Sequence, residues 1–193
     1  MTVFLVRHGQ SVGNADRMFS GMTDHPLTEL GRAQATEAGR AFAGHGFAHV
    51  VTSELSRAIE TADRLLAAAG VQHGQPRRLR GLNERDFGVF ECADDPGLEH
   101  LPEGDLRRRV CLDVAYRPKN GESMIDCLER AVTCLETEIL PLAGDGDILV
   151  VAHGNVIRSL VLVHLGWPLD LLPEMPSRNC LITRIEPAGW VRT

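Results

Sequence analysis

The chain has 193 residues, 44% apolar and 24% charged, with a formal net charge of −6. That length is ample for one compact core, the composition is that of a globular chain rather than a disordered or fibrous one, and the acidic balance argues against a nucleic-acid partner. Five cysteines, an odd number without a C-x-x-C pair, suggest neither a disulfide framework nor a zinc finger and point to a reducing compartment.

Residues 2–6 form a continuous apolar run of strand length, as expected where a parallel sheet is covered on both faces. No charged leader precedes it and no run reaches membrane-spanning length, so a cytoplasmic protein with no membrane partner is expected. Thr28 reads as the N-cap of a helix from Glu29 to Ala43. Residues 48–52 are a weaker strand, and Ser53 or Ser56 leads into a helix from Arg57 to Ala69 that Gly70 closes. The stretch of about 83–120 breaks the alternation. Asp94-Asp95-Pro96-Gly97, Leu101-Pro102-Glu103-Gly104 and Arg117-Pro118-Lys119-Asn120-Gly121 are loop punctuation, and a loop-rich insertion over the active site is expected to set specificity. Ser123 caps a helix from Met124 to Leu140, whose Met124, Cys127, Leu128, Ala131, Leu135 and Ile139 make a core-facing stripe. Residues 148–152 repeat the continuous apolar run, and 179–186 supply a last strand. Strands alternating with helices predict one α/β domain over residues 1–193, with a mostly parallel, doubly covered sheet. No pattern encodes the oligomeric state; Trp167, in Gly166-Trp167-Pro168-Leu169, is an aromatic placed for exposure, and a homodimer stays open.

Both continuous strands end in a histidine followed by glycine: Arg7-His8-Gly9 and Ala152-His153-Gly154. Open α/β sheets bind ligands at the carboxyl ends of their strands, so two imidazoles are delivered to one crevice. At the first, Arg7 is a fixed cation and Gly9 opens a strand-to-helix turn whose N–H groups point outward, an arrangement suited to phosphate. Asn14 and Ser20-Gly21 would add donors. Arginines gather around the motifs (Arg7, Arg57, Arg77-Arg78, Arg80, Arg85, Arg107-Arg108-Arg109), compatible with a small anionic ligand on an acidic protein.

A neutral imidazole attacking phosphorus gives a phosphohistidine, and fixed cations stabilise the charge on the equatorial oxygens. The leaving alkoxide needs a proton, for which Glu84 in Leu82-Asn83-Glu84-Arg85 is the best-placed carboxyl. From the residues alone, however, the plainer reading of Glu84 is a solvated loop carboxylate paired with Arg85 or Arg80. Two other classes stay open. His8, His25 and His153 with Asp24 would make a zinc hydrolase, although no HExxH or tight ligand pair supports it. A noncatalytic phospholigand-binding protein would have no need of both a nucleophile and a proton donor.

The ordered set Arg7-His8-Gly9, Phe19-Ser20-Gly21-x-x-Asp24, Leu27-Thr28-x-x-Gly31-x-x-Gln34-Ala35, Thr52-Ser53-x-Leu55-x-Arg57-Ala58-x-x-Thr61, Leu82-Asn83-Glu84-Arg85, Glu122-Ser123 and His153-Gly154-Asn155-x-x-Arg158 resembles the histidine phosphatase superfamily, which includes cofactor-dependent phosphoglycerate mutases. The resemblance runs from about residue 3 to 186. It implies a three-layer α/β/α sandwich with a Rossmann-like sheet and a metal-free phosphohistidine mechanism. His8 would be the nucleophile, Arg7 and Arg57 phosphate clamps, His153 the second imidazole and Glu84 the proton donor and later base. Asn14, Ser20, Gly21 and Asn155 would be secondary phosphate ligands, and the partner a small phosphorylated metabolite. Within the superfamily, Leu82-Asn83-Glu84-Arg85 with Phe19-Ser20-Gly21 is similar to the mutase branch, in which 2,3-bisphosphoglycerate would serve as primer. Against it stand a chain that looks much shorter than a mutase, Gly13-Asn14 in place of a tryptophan-asparagine pair, Phe87 in place of tyrosine, and an ending, Ser177-Arg178-Asn179, that looks like the small phosphatases. Arg107-Arg108-Arg109 could supply a mutase's extra cationic grip, but such a run more often marks a solvated helix face. The expectation is a phosphomonoester phosphatase that needs no cofactor.

Overall fold

The structure, a computed structural model, describes residues 1–91, 109–186 and 190. Five strands, β1 (Val3–Arg7), β2 (His49–Thr52), β3 (Arg77–Arg78), β4 (Ile148–Ala152) and β5 (Ile182–Ile185), form one sheet in the order β3-β2-β4-β1-β5. All pairings are parallel except that of β1 with β5. β1 and β4 run in register from Val3 opposite Ile148 to Arg7 opposite Ala152. The next residue of each strand is a histidine, so the register alone sets His8 beside His153 at the carboxyl end of the sheet.

The helices are α1 (Val12–Ala15), α2 (Glu29–Arg40), α3 (Ser56–Ala69), α4 (Met124–Cys134) and α5 (Gly154–Leu165). Because side chains alternate along a strand, Phe4, Val6, Leu149 and Val151 pack on one face with Phe42, Phe47 and the Ala58, Ala62 and Leu65 stripe of α3. Val3, Leu5, Ile148 and Val150 pack on the other with Cys127 and Ala131 of α4 and Val156 and Leu160 of α5. The result is the three-layer α/β/α sandwich. Leu5, Ile148 and Val150 are wholly buried, each contributing about 2 kcal/mol relative to exposure.

The caps explain the helix starts, with one correction. Thr28 Oγ1 accepts the Gly31 N–H at 3.0 Å, and Ser123 and Asp126 form a reciprocal capping box. α3 begins instead at Ser56 behind Leu55 with no side-chain cap, because Ser53 is turned toward His153 and Asp24 Oδ2 accepts the Ser56 N–H at 2.8 Å. α2 stops at Arg40 rather than Ala43, and the helix expected through Leu140 turns π-helical over Leu135–Ile139. Two elements carry no sequence expectation. β3 is two exposed arginines, and α5 is apolar on nearly every side, so it has no amphipathic period to read.

A 3-10 turn at Arg80–Leu82 leads into the expected insertion, whose described parts include a second at Gly88–Glu91, and its two sides cross in backbone contact. A Cβ on Gly88 would lie 2.1 Å from the Lys119 carbonyl oxygen and one on Gly121 2.7 Å from that of Asp86, so both positions require glycine. Asp94 to Gly97, Leu101 to Gly104, Arg107 and Arg108 lie outside the described residues; Arg109 stacks its guanidinium on Tyr116 at 5.0 Å. Trp167 is half-exposed beside Leu165 and Leu171. Among the described residues no helix is long and apolar enough to cross a membrane.

Candidate active site

The His8 and His153 rings lie 5.0 Å apart, and both are buried. His8 Nδ1 is 2.6 Å from the Gly9 carbonyl oxygen. A carbonyl only accepts, so Nδ1 carries the hydrogen and Nε2 keeps its lone pair. Burial, then the charges of Arg7 and Arg57, hold the His8 pKa well below the usual imidazole value, so the ring is neutral. The structure therefore presents a nucleophilic nitrogen. His153 is likewise lowered, first by burial and then by Arg57 and His8. Its Nε2 lies 2.7 Å from Ser53 Oγ, which also accepts the Leu55 N–H. Nδ1 is buried and meets no protein partner. A buried polar atom left unpaired in this way points to a ligand group.

Three guanidiniums surround the pair. Arg7 donates through Nη1 to the Ser177 carbonyl, while its buried Nε has no partner. Arg57, 1% exposed, donates to the carbonyls of Thr23 at 2.9 Å, Ser20 at 3.1 Å and Gly21 at 2.7 Å. Arg158 reaches back from α5 to Asn155 Oδ1 at 2.7 Å and to the carbonyls of Gly154 and Pro173. Burial lowers the pKa of all three, and the charge of Glu84 works against that lowering in each case. Arg57 is buried and Arg7 and Arg158 are half-buried; Glu84 acts on all three, and Asp24 lies 3.5 Å from Arg57.

Glu84 itself is 7% exposed, not a solvated loop residue, and is paired with neither Arg80 nor Arg85 through its side chain. Oε1 accepts the Arg85 N–H at 2.8 Å and the Asn155 N–H at 3.3 Å, the latter from the first turn of α5, where the helix dipole favours negative charge.

The turn after His8 corrects one expectation. The amides of Gly9 and Gln10 are donated to Thr61 Oγ1 at 3.0 Å and Gln34 Oε1 at 2.9 Å, so they do not face a ligand. Gly9 is small because α2 passes over it: a Cβ there would lie 2.3 Å from the Gly31 carbonyl oxygen. Anion binding falls to side chains instead. Asn14 Oδ1 accepts from Ser11 N–H and Asn179 Nδ2, and Asn179 also donates to the His8 carbonyl at 2.9 Å, so Asn14 and Asn179 brace the turn. Ser20 Oγ is buried without a partner; Gly21 contributes its carbonyl to Arg57. Asp24 serves the start of α3 and Arg57, and among the described residues no cluster of three or more His, Cys, Asp or Glu is arranged for a metal ion.

The family model of the histidine phosphatase superfamily (branch 1) matches residues 3–192. The chain belongs to the histidine phosphatase superfamily. It is 34% identical, over 99% of its length and 90% of theirs, to the probable phosphoglycerate mutase GpmB of Klebsiella pneumoniae and of Salmonella arizonae. Among solved structures it superposes on Bacillus stearothermophilus YhfR with a TM-score of 0.81 at 27% identity, over 96% of this chain and 90% of that one. The Shigella flexneri alpha-ribazole phosphatase gives 0.80 at 26% identity over 96% and 90%. A mycobacterial glucosyl-3-phosphoglycerate phosphatase with VO3 gives 0.77 at 27% identity over 95% and 91%. Members of this superfamily are phosphatases or mutases, so the chain is an enzyme of phosphoryl chemistry.

Thus His8, Arg7, Arg57, Glu84, His153 and Asn155 are brought together. Sequence reasoning placed Arg158 and Ser53 in motifs and Asn179 in the ending without giving any of them a role at the site. A signal existed for Arg158, four residues beyond Gly154 and so on the same helix face; Asn179 is 171 residues from His8 and had none.

Proposed function

We propose that the chain is a phosphomonoester phosphatase working through a phosphohistidine at His8. The observation that carries this reading is the His8 tautomer, neutral with a free Nε2, set between Arg7, Arg57 and the unpartnered Nδ1 of His153. Nε2 forms a bond to phosphorus as the ester oxygen departs, and that oxygen takes a proton from Glu84. Glu84 then removes a proton from water, whose oxygen displaces the neutral imidazole and releases phosphate. Charge on the equatorial oxygens is met by the arginines and His153, so no metal or organic cofactor is called for. The substrate class is a small, cytoplasmic phosphorylated metabolite, chosen by residues 86–120.

Phosphoglycerate mutase activity primed by 2,3-bisphosphoglycerate is the second reading, favoured by the GpmB relatives. Phosphatases among the structural neighbours and the apolar Phe87, whose ring packs tilted against Phe19 at 5.0 Å and offers no hydrogen bond, favour hydrolysis. The test is a phosphomonoester panel with both phosphoglycerates and p-nitrophenyl phosphate, in chelator, scored for free phosphate and for isomer. Hydrolysis is expected, with phosphate trapped on His8 by mass spectrometry. Isomerisation without free phosphate makes the enzyme a mutase, and undiminished turnover by His8→Ala overturns both readings.

A further inference from the structure

Glu84 sits in a non-helical stretch between Leu82 and Gly88, so an outside group must fix its backbone. Arg130 of α4 does this from below. Its Nη1 donates to the carbonyls of Gly81 and Asn83, each at 2.9 Å, and its Nη2 to that of Glu84 at 3.3 Å. The same guanidinium is gripped by Glu122, whose Oε1 accepts from Nε at 2.9 Å and Oε2 from Nη2 at 2.7 Å. Glu122 Oε2 also accepts the Asp86 N–H at 3.2 Å, and its backbone N–H donates to the Asp86 carbonyl at 2.8 Å. One ion pair therefore touches residues 81, 83, 84 and 86, both sides of the carboxylate. From above, Asn83 is held through its side chain by the Glu54 N–H at 2.9 Å.

We infer that Arg130, oriented by Glu122, is a positioning residue for the proton-transfer step: it fixes the backbone of Glu84 so that the carboxyl meets the leaving oxygen. A planar guanidinium with five donors serves three carbonyls and a carboxylate at once, which an ammonium does not. Neither residue hydrogen-bonds a side chain of the phosphate cluster: of Glu84, Arg130 bonds the backbone carbonyl alone, although its charge is also felt at Glu84 and at His153, which is why the charge-keeping Arg130→Lys belongs in the test. Arg130 and Gly81 also line an open cleft with Leu79 and Arg80.

The inference rests on Glu84 being the proton donor, and leaving-group chemistry separates the two. Departure of p-nitrophenolate needs no proton, whereas departure of an alkoxide does. Single-turnover phosphorylation of His8 is measured with p-nitrophenyl phosphate and with 3-phosphoglycerate, for Arg130→Gln, Arg130→Lys, Glu122→Gln and Glu84→Gln. Arg130→Gln is expected to lose about tenfold or more with the alkyl ester and at most about twofold with the aryl ester, given that positioned acids contribute 10² to 10⁴. Arg130→Lys and Glu122→Gln lose in the same selective way by smaller factors, and Arg130→Lys carries the test if Arg130→Gln does not fold. Equal losses on both esters, or none, with Glu84→Gln still selective for the alkyl ester, overturn the assignment of Arg130 alone. A Glu84→Gln enzyme without that selectivity overturns the proton donor and the positioning role with it.

Discussion

His8 and Glu84 face one crevice, but the chain holds them in different ways. His8 is the residue after a buried strand, its partner Gly9 is the next residue, and the β1–β4 register sets it against His153. Glu84 follows a short 3-10 turn and takes its place from two arginines: Arg130 of α4 grips its own carbonyl and those of Gly81 and Asn83 before it. Arg85 ties the segment to the carbonyls of Val110 at 2.8 Å, Tyr116 at 3.0 Å and Glu122 at 2.8 Å. The proposed nucleophile belongs to the sheet, and the proposed proton donor to the segment expected to choose the substrate. A fold arranged this way keeps the phosphate end constant while the leaving-group end changes.

The sharpest way to test this division is to remove each side in turn. His8→Asn is expected to cut kcat by at least about 10³-fold, the scale on which losing a nucleophile acts, while the thermal midpoint stays near wild type. Arg85→Met, which removes a wholly buried guanidinium and leaves the buried Val110 carbonyl and the part-buried Tyr116 and Glu122 carbonyls without their donor, is expected to cost about 3 kcal/mol in urea unfolding. On the His8 side, Gly31→Ala drives a Cβ to 2.0 Å from the Gln10 carbonyl oxygen and is expected to cost about 2 kcal/mol, with activity falling as the turn shifts.

Acidity separates the two ends as well. The unfolded chain binds protons on His8 and His153 near 6.5, whereas the folded chain does so only at lower pH. Stability is therefore full above 6.5 and is lost as pH falls from there toward the folded values, by up to about 1.4 kcal/mol per unit and imidazole. Unfolding at a series of pH values is expected to show this slope, and His8→Asn to reduce it; an unchanged slope in that variant contradicts a neutral buried His8. The smallest effect belongs to Asn179→Ala, about 1 kcal/mol by thermal melt, from the bonds to the His8 carbonyl and Asn14.

Legibility followed the same line. β1 and β4 were readable because strands buried on both faces are continuous apolar runs, and α2, α3 and α4 because a polar face alternates with a buried one. α5 was not, since its polar face is missing, and β3 was not, since two arginines carry no strand signal. Local motifs located His8, Arg7, Arg57 and His153. The purpose of Gly9 was misread because the helix that requires a glycine there, α2, approaches from 22 residues away.

The sequence by itself determined the two central strands β1 and β4, the histidines that end them and the choice of arginine around them, because each depends on neighbours a few residues apart or on burial periodicity. The tertiary structure decided which nitrogen of His8 is free, that Glu84 is buried rather than solvated, and that the amides of Gly9 and Gln10 are already taken. Those follow from partners such as Thr61, Gln34, Asn155 and Arg130, and a hydrogen bond that closes over tens of residues leaves no periodic trace in the chain.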